Sequence, residues 1–241
     1  RIRNLPLTSE FNGGVIGSTL AKKVIETTEV TGTTLLRLIN EEIRRKYHEL
    51  GITNYRQNKA LTFAGFLSHV LADPEKLEFT SVGDIFIAAD GKIIAGKKAK
   101  IAIHAANERK RYIENTGDIE GSYQHIVPEI KKQYQYQNTI GHRFSYSVID
   151  GTETLVEGIE LGTIQTPSHL LIYSDGYETP DEFSIEGLER KLKQVYQEDP
   201  YRYKTYPATG YLKDDRTALE IILDNWNSFE VEEVNPQDIR H

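Results

Sequence analysis

The sequence predicts an α+β fold in which antiparallel sheets are covered by helices. Three observations carry this: helix-period apolar stripes open the chain, strand segments joined by tight turns follow, and the β–α–β alternation of a parallel sheet is absent. With 241 residues, 38% of them hydrophobic, there is enough apolar material for one sizeable core, so a single domain over 1–241 is expected.

After Gly13, Gly14 and Gly17, Ser18 is the expected N-cap of a helix with Leu20, Ala21, Val24 and Ile25 on one face. A second helix carries Leu35, Leu36, Ile39, Ile43 and Tyr47, and Gly51 stands where a left-handed C-terminal residue belongs. Strands are expected over Leu61–Val70, Leu77–Val82 and Ile85–Ala89, and Asp90-Gly91 is a hairpin-turn dipeptide before Lys92, Ile93 and Ile94. The polar middle carries helical stretches at Ala106–Glu114 and Glu129–Gln137. Strand patterns return at Phe144–Ile149, Leu155–Leu161 and Leu170–Tyr173, the last an apolar run that reads as buried. Then come a helix with Ile185, Leu188, Leu192 and Val195 on one face, a tyrosine-rich loop over Gln197–Lys213 and a final strand over Thr217–Leu223. The acidic tail, 229–241, has little to bury.

Composition narrows the chemistry. Cysteine is absent, which excludes a disulfide framework, a thiolate zinc site and a cysteine nucleophile. Thirty-six acids against 29 lysines and arginines give a net charge of −7, with the bases dispersed, so nucleic acid is not an expected partner. No apolar run approaches the roughly 20 residues that cross a bilayer, and no signal-like leader opens the sequence. A soluble, cytoplasmic chain without a membrane partner is the expectation, with the oligomeric state open.

Three aspartates sit where chemistry and plain turn formation are both served. In Leu170-Leu171-Ile172-Tyr173-Ser174-Asp175-Gly176, an apolar strand delivers Asp175 at its end and Gly176 lets the backbone turn. A carboxylate held on a rigid strand end suits a hard divalent cation, and an Asp-Gly pair equally suits a simple turn. Lys213-Asp214-Asp215-Arg216-Thr217 places two acids at the mouth of the last strand. Ser81-Val82-Gly83-Asp84-Ile85 puts an acid between two strand segments, as a bulge, a ligand position or an exposed edge would.

In content and order these stretches resemble the metal-dependent protein phosphatases of type 2C (PPM family), in a bacterial-like form. The family has a Val-Gly-Asp strand and a hairpin ending in Asp-Gly, here Val82 to Gly91. An apolar strand into Ser-Asp-Gly follows, here Leu171 to Gly176, and then an Asp pair before Thr and a strand, here Asp214 to Ile222. The likeness spans about Gly13 to Leu223. It implies two antiparallel sheets packed as a central sandwich with helices on both outer faces. It implies Asp175 and Asp214 as ligands of a first metal, Asp84 as a ligand of a further one, and Asp215 in support. Two or more Mg²⁺ or Mn²⁺ ions would then activate a water for hydrolysis of phosphoserine or phosphothreonine in a phosphorylated protein.

The departure lies at the start, where the family has an Asp-Gly whose aspartate bridges both metals. Glu10 and Asn12 are the local candidates, and a position upstream of Arg1 is the third. The third is the expectation, because the family's first strand and its phosphate-binding arginine have no convincing counterpart among residues 1–12. The alternative function is therefore a catalytically incomplete regulatory or binding domain on the same fold. An unrelated α+β interaction domain whose aspartates merely end strands is the third reading. His142 reads as structural or exposed, and no Ser/His/Asp or His-x-x-His arrangement stands out.

Overall fold

In the computed structural model, which describes residues 13–57, 62–73, 76–154, 158–165, 167–210 and 216–223, two helices come first: α1 (Gly13–Thr27) and α2 (Gly32–Glu49). Four strands follow: β1 (Leu67–Asp73), β2 (Lys76–Val82), β3 (Ile85–Ala89) and β4 (Lys92–Ala95). Next are α3 (Lys100–Thr116), α4 (Ile119–Lys132) and a 3₁₀ turn at Gln133–Tyr136. The order closes with β5 (Ile159–Gln165), β6 (His169–Ser174), α5 (Ile185–Glu198) and β7 (Ala218–Ile222). One antiparallel sheet has the order β1-β2-β5 and the other β4-β3-β6-β7.

Alternation along the strands builds four layers. On β2, Leu77 and Phe79 meet Ile87, Ala89 and Leu170 of the other sheet, so one core lies between the sheets. The opposite face of β2 turns to the first helices: Val82 joins Leu35, Leu36, Ile39, Ile43 and Tyr47 of α2. Polar residues on that face dock the helix start, since the Gly32 N–H donates to Thr80 Oγ1 at 2.7 Å and Thr31 to Glu78 at 2.8 Å. On β3 and β6, Phe86, Ala88, Leu171 and Tyr173 face Leu188 and Leu192 of α5. The sandwich with helices on both outer faces is thus the architecture that the family resemblance implied, and its antiparallel sheets covered by helices are those the sequence pattern predicted. Among the described residues, no helix is long and apolar enough to cross a membrane.

Several boundaries differ from the expected ones. Helix α1 begins at Gly13, so Ser18 lies inside it and its hydroxyl returns to the Val15 carbonyl at 3.1 Å instead of capping. The first strand begins at Leu67 rather than Leu61, which lies outside the described residues. The two helical stretches of the middle grow to α3 and α4, the second starting ten residues earlier because Asp118 caps it through the Gly121 N–H at 2.8 Å. Phe144–Ile149 forms only isolated bridges, to Gly65 and Gln137. There the Asn138 side chain stands in for a neighbouring strand, donating to the Val148 carbonyl at 3.1 Å and accepting its N–H at 3.2 Å. Strand β5 starts at Ile159, and Ile185, at the first position of α5, is 39% exposed rather than packed. Gly51 ends α2 as expected: φ is 68°, and the Gly51 and Ile52 amides close on the His48 and Tyr47 carbonyls at 3.1 and 2.8 Å.

The turn out of β4 depends on a glycine. Gly96 leaves the strand with φ +103°, and a Cβ there would lie 2.6 Å from the Ile85 carbonyl oxygen and the Phe86 Cα. Its N–H donates to Glu160 of β5 at 2.5 Å, tying the two sheets together. We expect Gly96→Ala to cost on the order of 3 kcal/mol, because neither the backbone angle nor the backbone neighbours can yield. Urea denaturation measures it, and a midpoint equal to the parent's would show that this turn rearranges freely.

Candidate functional site

The chain passes from one sheet to the other at Gly83-Asp84, between β2 and β3. Gly83 makes the corner with φ +97°. Asp84 is only 9% exposed. Strand β6 pairs with β3 up to Ile85↔Ser174, so Asp84 and Asp175 are the residues immediately beyond the last pair, at the same end of the sheet. The entrance to β7 is fastened at the same end: the Ser174 N–H donates to the Thr217 carbonyl at 3.0 Å, and the Thr217 N–H to Ser174 Oγ at 3.1 Å. Asp214, Asp215, Glu10 and Asn12 lie outside the described residues.

Two adjoining clefts open on this end of the sandwich. Asp84 lines one of about 260 Å³, with Lys97, Lys98, Lys100 and the 145–147 segment. Asp175 lines one of about 180 Å³, walled by α3 and by the loop after α5, including Arg202 and Pro207. Lys98 lines both. Its ammonium is held by Glu178 at 3.0 and 3.1 Å, and Glu178 in turn pairs with the buried Arg202. Beside Asp84, burial pushes the Tyr146 hydroxyl up to about 12, and the Asp84 charge adds to the shift, so Tyr146 keeps its proton at neutral pH.

The loop that walls the Asp175 cleft is built around two charged side chains. Asp199 accepts the backbone N–H groups of Tyr203, Lys204, Thr205 and Tyr206 at 2.8 to 3.1 Å. Burial opposes ionisation of Asp199, but those four amides outweigh it and hold the carboxyl below its ordinary value. Arg109 of α3, with no exposed surface, donates to the carbonyls of Tyr201, Arg202 and Ala208 and to Ser122 Oγ at 2.9 to 3.2 Å.

The donors fit a hard cation in kind, since Mg²⁺ and Mn²⁺ take carboxylate oxygen. In number, no three His, Asp or Glu side chains gather at one point among the described residues. Two carboxylates suit one ion that keeps much of its water, as Mg²⁺ does. A second ion needs acids beyond the described residues.

No family model matches the sequence, and no curated protein matches it. The solved structures it is similar to include bacterial serine/threonine phosphatases. One is the Mycobacterium tuberculosis phosphatase PstP/Ppp, at 16% identity and TM-score 0.43, covering 86% of this chain and 80% of that one. The PstP catalytic domain in complex with two manganese ions is 13% identical, with TM-score 0.44 and coverage of 87% and 82%. Stp1 from Staphylococcus aureus is 15% identical, with TM-score 0.40 and coverage of 85% and 76%. The roles considered for Asp84 and Asp175 rest on their own geometry.

Sequence reading missed Lys98, Glu178, Arg202 and Arg109. The run Lys97-Lys98-Ala99-Lys100 just after the hairpin in an acidic chain was a visible signal for the first. Arg109 left none, because a buried arginine on an amphipathic helix reads as a solvated one. His142 is exposed and stacks on Tyr136 with ring centroids 4.4 Å apart.

Proposed function

We propose that this chain, as one domain, is a metal-dependent phosphatase that hydrolyses phosphoserine or phosphothreonine in proteins, with Asp84, Asp175 and Asp214 as its metal ligands. The observation that supports it most is that Asp84 and Asp175 directly follow the last paired position of β3 and β6, at one end of the sheet, in clefts that share Lys98. Two carboxylates so placed repel unless a cation or proton intervenes, and a ligand role gives a reason for keeping both. A divalent ion bound there supplies an acidified water and positive charge for the phosphoryl oxygens. The chain's own part is to fix the carboxylates on strand ends, to hold Lys98 between the clefts through Glu178 and Arg202, and to wall off Asp175 with the 199–210 loop.

Two measurements test this on one sample. Millimolar Mn²⁺ or Mg²⁺ is expected to raise the melting temperature, by mass action on the folded form. Phosphate release from a phosphothreonine peptide is expected to require the same ion. A melting shift without turnover would leave a metal-binding regulatory domain on this fold. Neither shift nor turnover would defeat the proposal.

A further inference from the structure

The cleft beside Asp84 is charged opposite to the rest of the molecule. The chain has a net charge of −7, yet the turn between β4 and α3, with the first residue of α3, brings Lys97, Lys98 and Lys100 to a single cavity of about 260 Å³. Since a water occupies roughly 30 Å³ of liquid, that space holds a phosphoryl group and the start of the side chain carrying it. Glu178 occupies Lys98. Lys97 and Lys100 are exposed and have no acidic partner within 4 Å among the described residues. The turn that carries them starts at Gly96, which runs too close to the β3 backbone to admit a Cβ and donates its N–H to Glu160. With Lys98 paired to Glu178, Lys97 and Lys100 are, among the described residues, the two ammonium groups left without an acidic partner at this cavity, and an anion between them would neutralise both.

We infer that this cavity is a phosphoryl-binding subsite, with Lys97 and Lys100 as its binding residues and Lys98 as the hinge between it and the carboxylate pair. The inference rests on the proposed phosphatase reading for its place in catalysis, and on the cavity alone for anion binding. Asp84 lines the same space, so without a cation its charge weakens the subsite. A divalent ion at the carboxylates and phosphate at the lysines therefore bind with positive coupling, and the coupling is reciprocal.

The test is titration of the full chain with inorganic phosphate by calorimetry, with and without Mg²⁺. Three proteins are compared: the parent, the Lys97→Gln/Lys100→Gln double variant, and a Lys131→Gln/Lys132→Gln control that removes the same charge from α4. Binding is expected to weaken at least about tenfold in the first variant and less than about twofold in the control, since charge-assisted contacts to phosphate are short-range. Magnesium is expected to tighten phosphate binding in the parent. Equal weakening in both variants, or none in either, overturns the subsite. Phosphate binding that depends on Lys97 and Lys100, in a chain that neither turns over phosphopeptide nor responds to metal, keeps the subsite and removes the phosphatase reading. A metal response and turnover without lysine-dependent phosphate binding does the reverse.

Discussion

Arg109→Met is expected to lower stability by about 3–5 kcal/mol, a large share of the roughly 5–15 kcal/mol that holds a domain together. The guanidinium has no exposed surface and satisfies three carbonyls of the 199–210 loop as well as the Ser122 hydroxyl. Methionine fills much of the volume but donates nothing, and each acceptor stranded in the interior costs about 1–3 kcal/mol. The loop can partly escape by opening to water, which caps the loss below the simple sum. Lysine keeps the charge but presents a single ammonium where a planar fork spans three carbonyls, so Arg109→Lys is expected to fall between parent and Arg109→Met. Urea denaturation of the three proteins measures this. A Met variant within about 1 kcal/mol of the parent would mean that Asp199, through its four amide hydrogen bonds, holds the loop alone.

How much of the molecule was legible in the sequence depends on how local each determinant is. The α2 stripe and Gly51, the Asp90-Gly91 turn with φ of 44° and 76°, and the buried run of β6 depend on period and backbone chirality, which neighbouring residues disclose. The corner at Gly83-Asp84 and the strand-end Asp175 were found for the same reason. Long-range substitutions were not legible. Asn138 replaces a strand for Val148 with an amide side chain, ten residues away, and so dissolves the expected Phe144–Ile149 strand. Arg109 is buried by carbonyls more than ninety positions downstream, and Lys98 is placed by Glu178, eighty positions away. Such partners leave no periodicity, because each is one contact fixed by the packing of layers distant in sequence.

The remaining large effect belongs to Asp175. Asp175→Asn keeps the shape of the side chain and removes one of the two carboxylate charges that lie just beyond the last β3–β6 pair, Ile85↔Ser174. Without divalent metal the variant is expected to melt above the parent, because the nearly buried Asp84 loses a like-charged neighbour. With Mn²⁺ or Mg²⁺ the order is expected to reverse, because the parent gains the binding energy and the variant has lost a ligand. Phosphate release from a phosphothreonine peptide at fixed metal is expected to drop at least about a hundredfold, the loss of a direct ligand exceeding the 10–100-fold cost of disturbing an outer partner. Asp181→Asn, on the exposed segment before α5, removes the same charge away from both clefts and is expected to change neither melting nor turnover with metal. The crossing of the two melting curves is the informative sign: a purely structural Asp175 would shift both in the same direction. Parallel curves with unchanged turnover would take Asp175 out of the site and the metal ligand assignment with it.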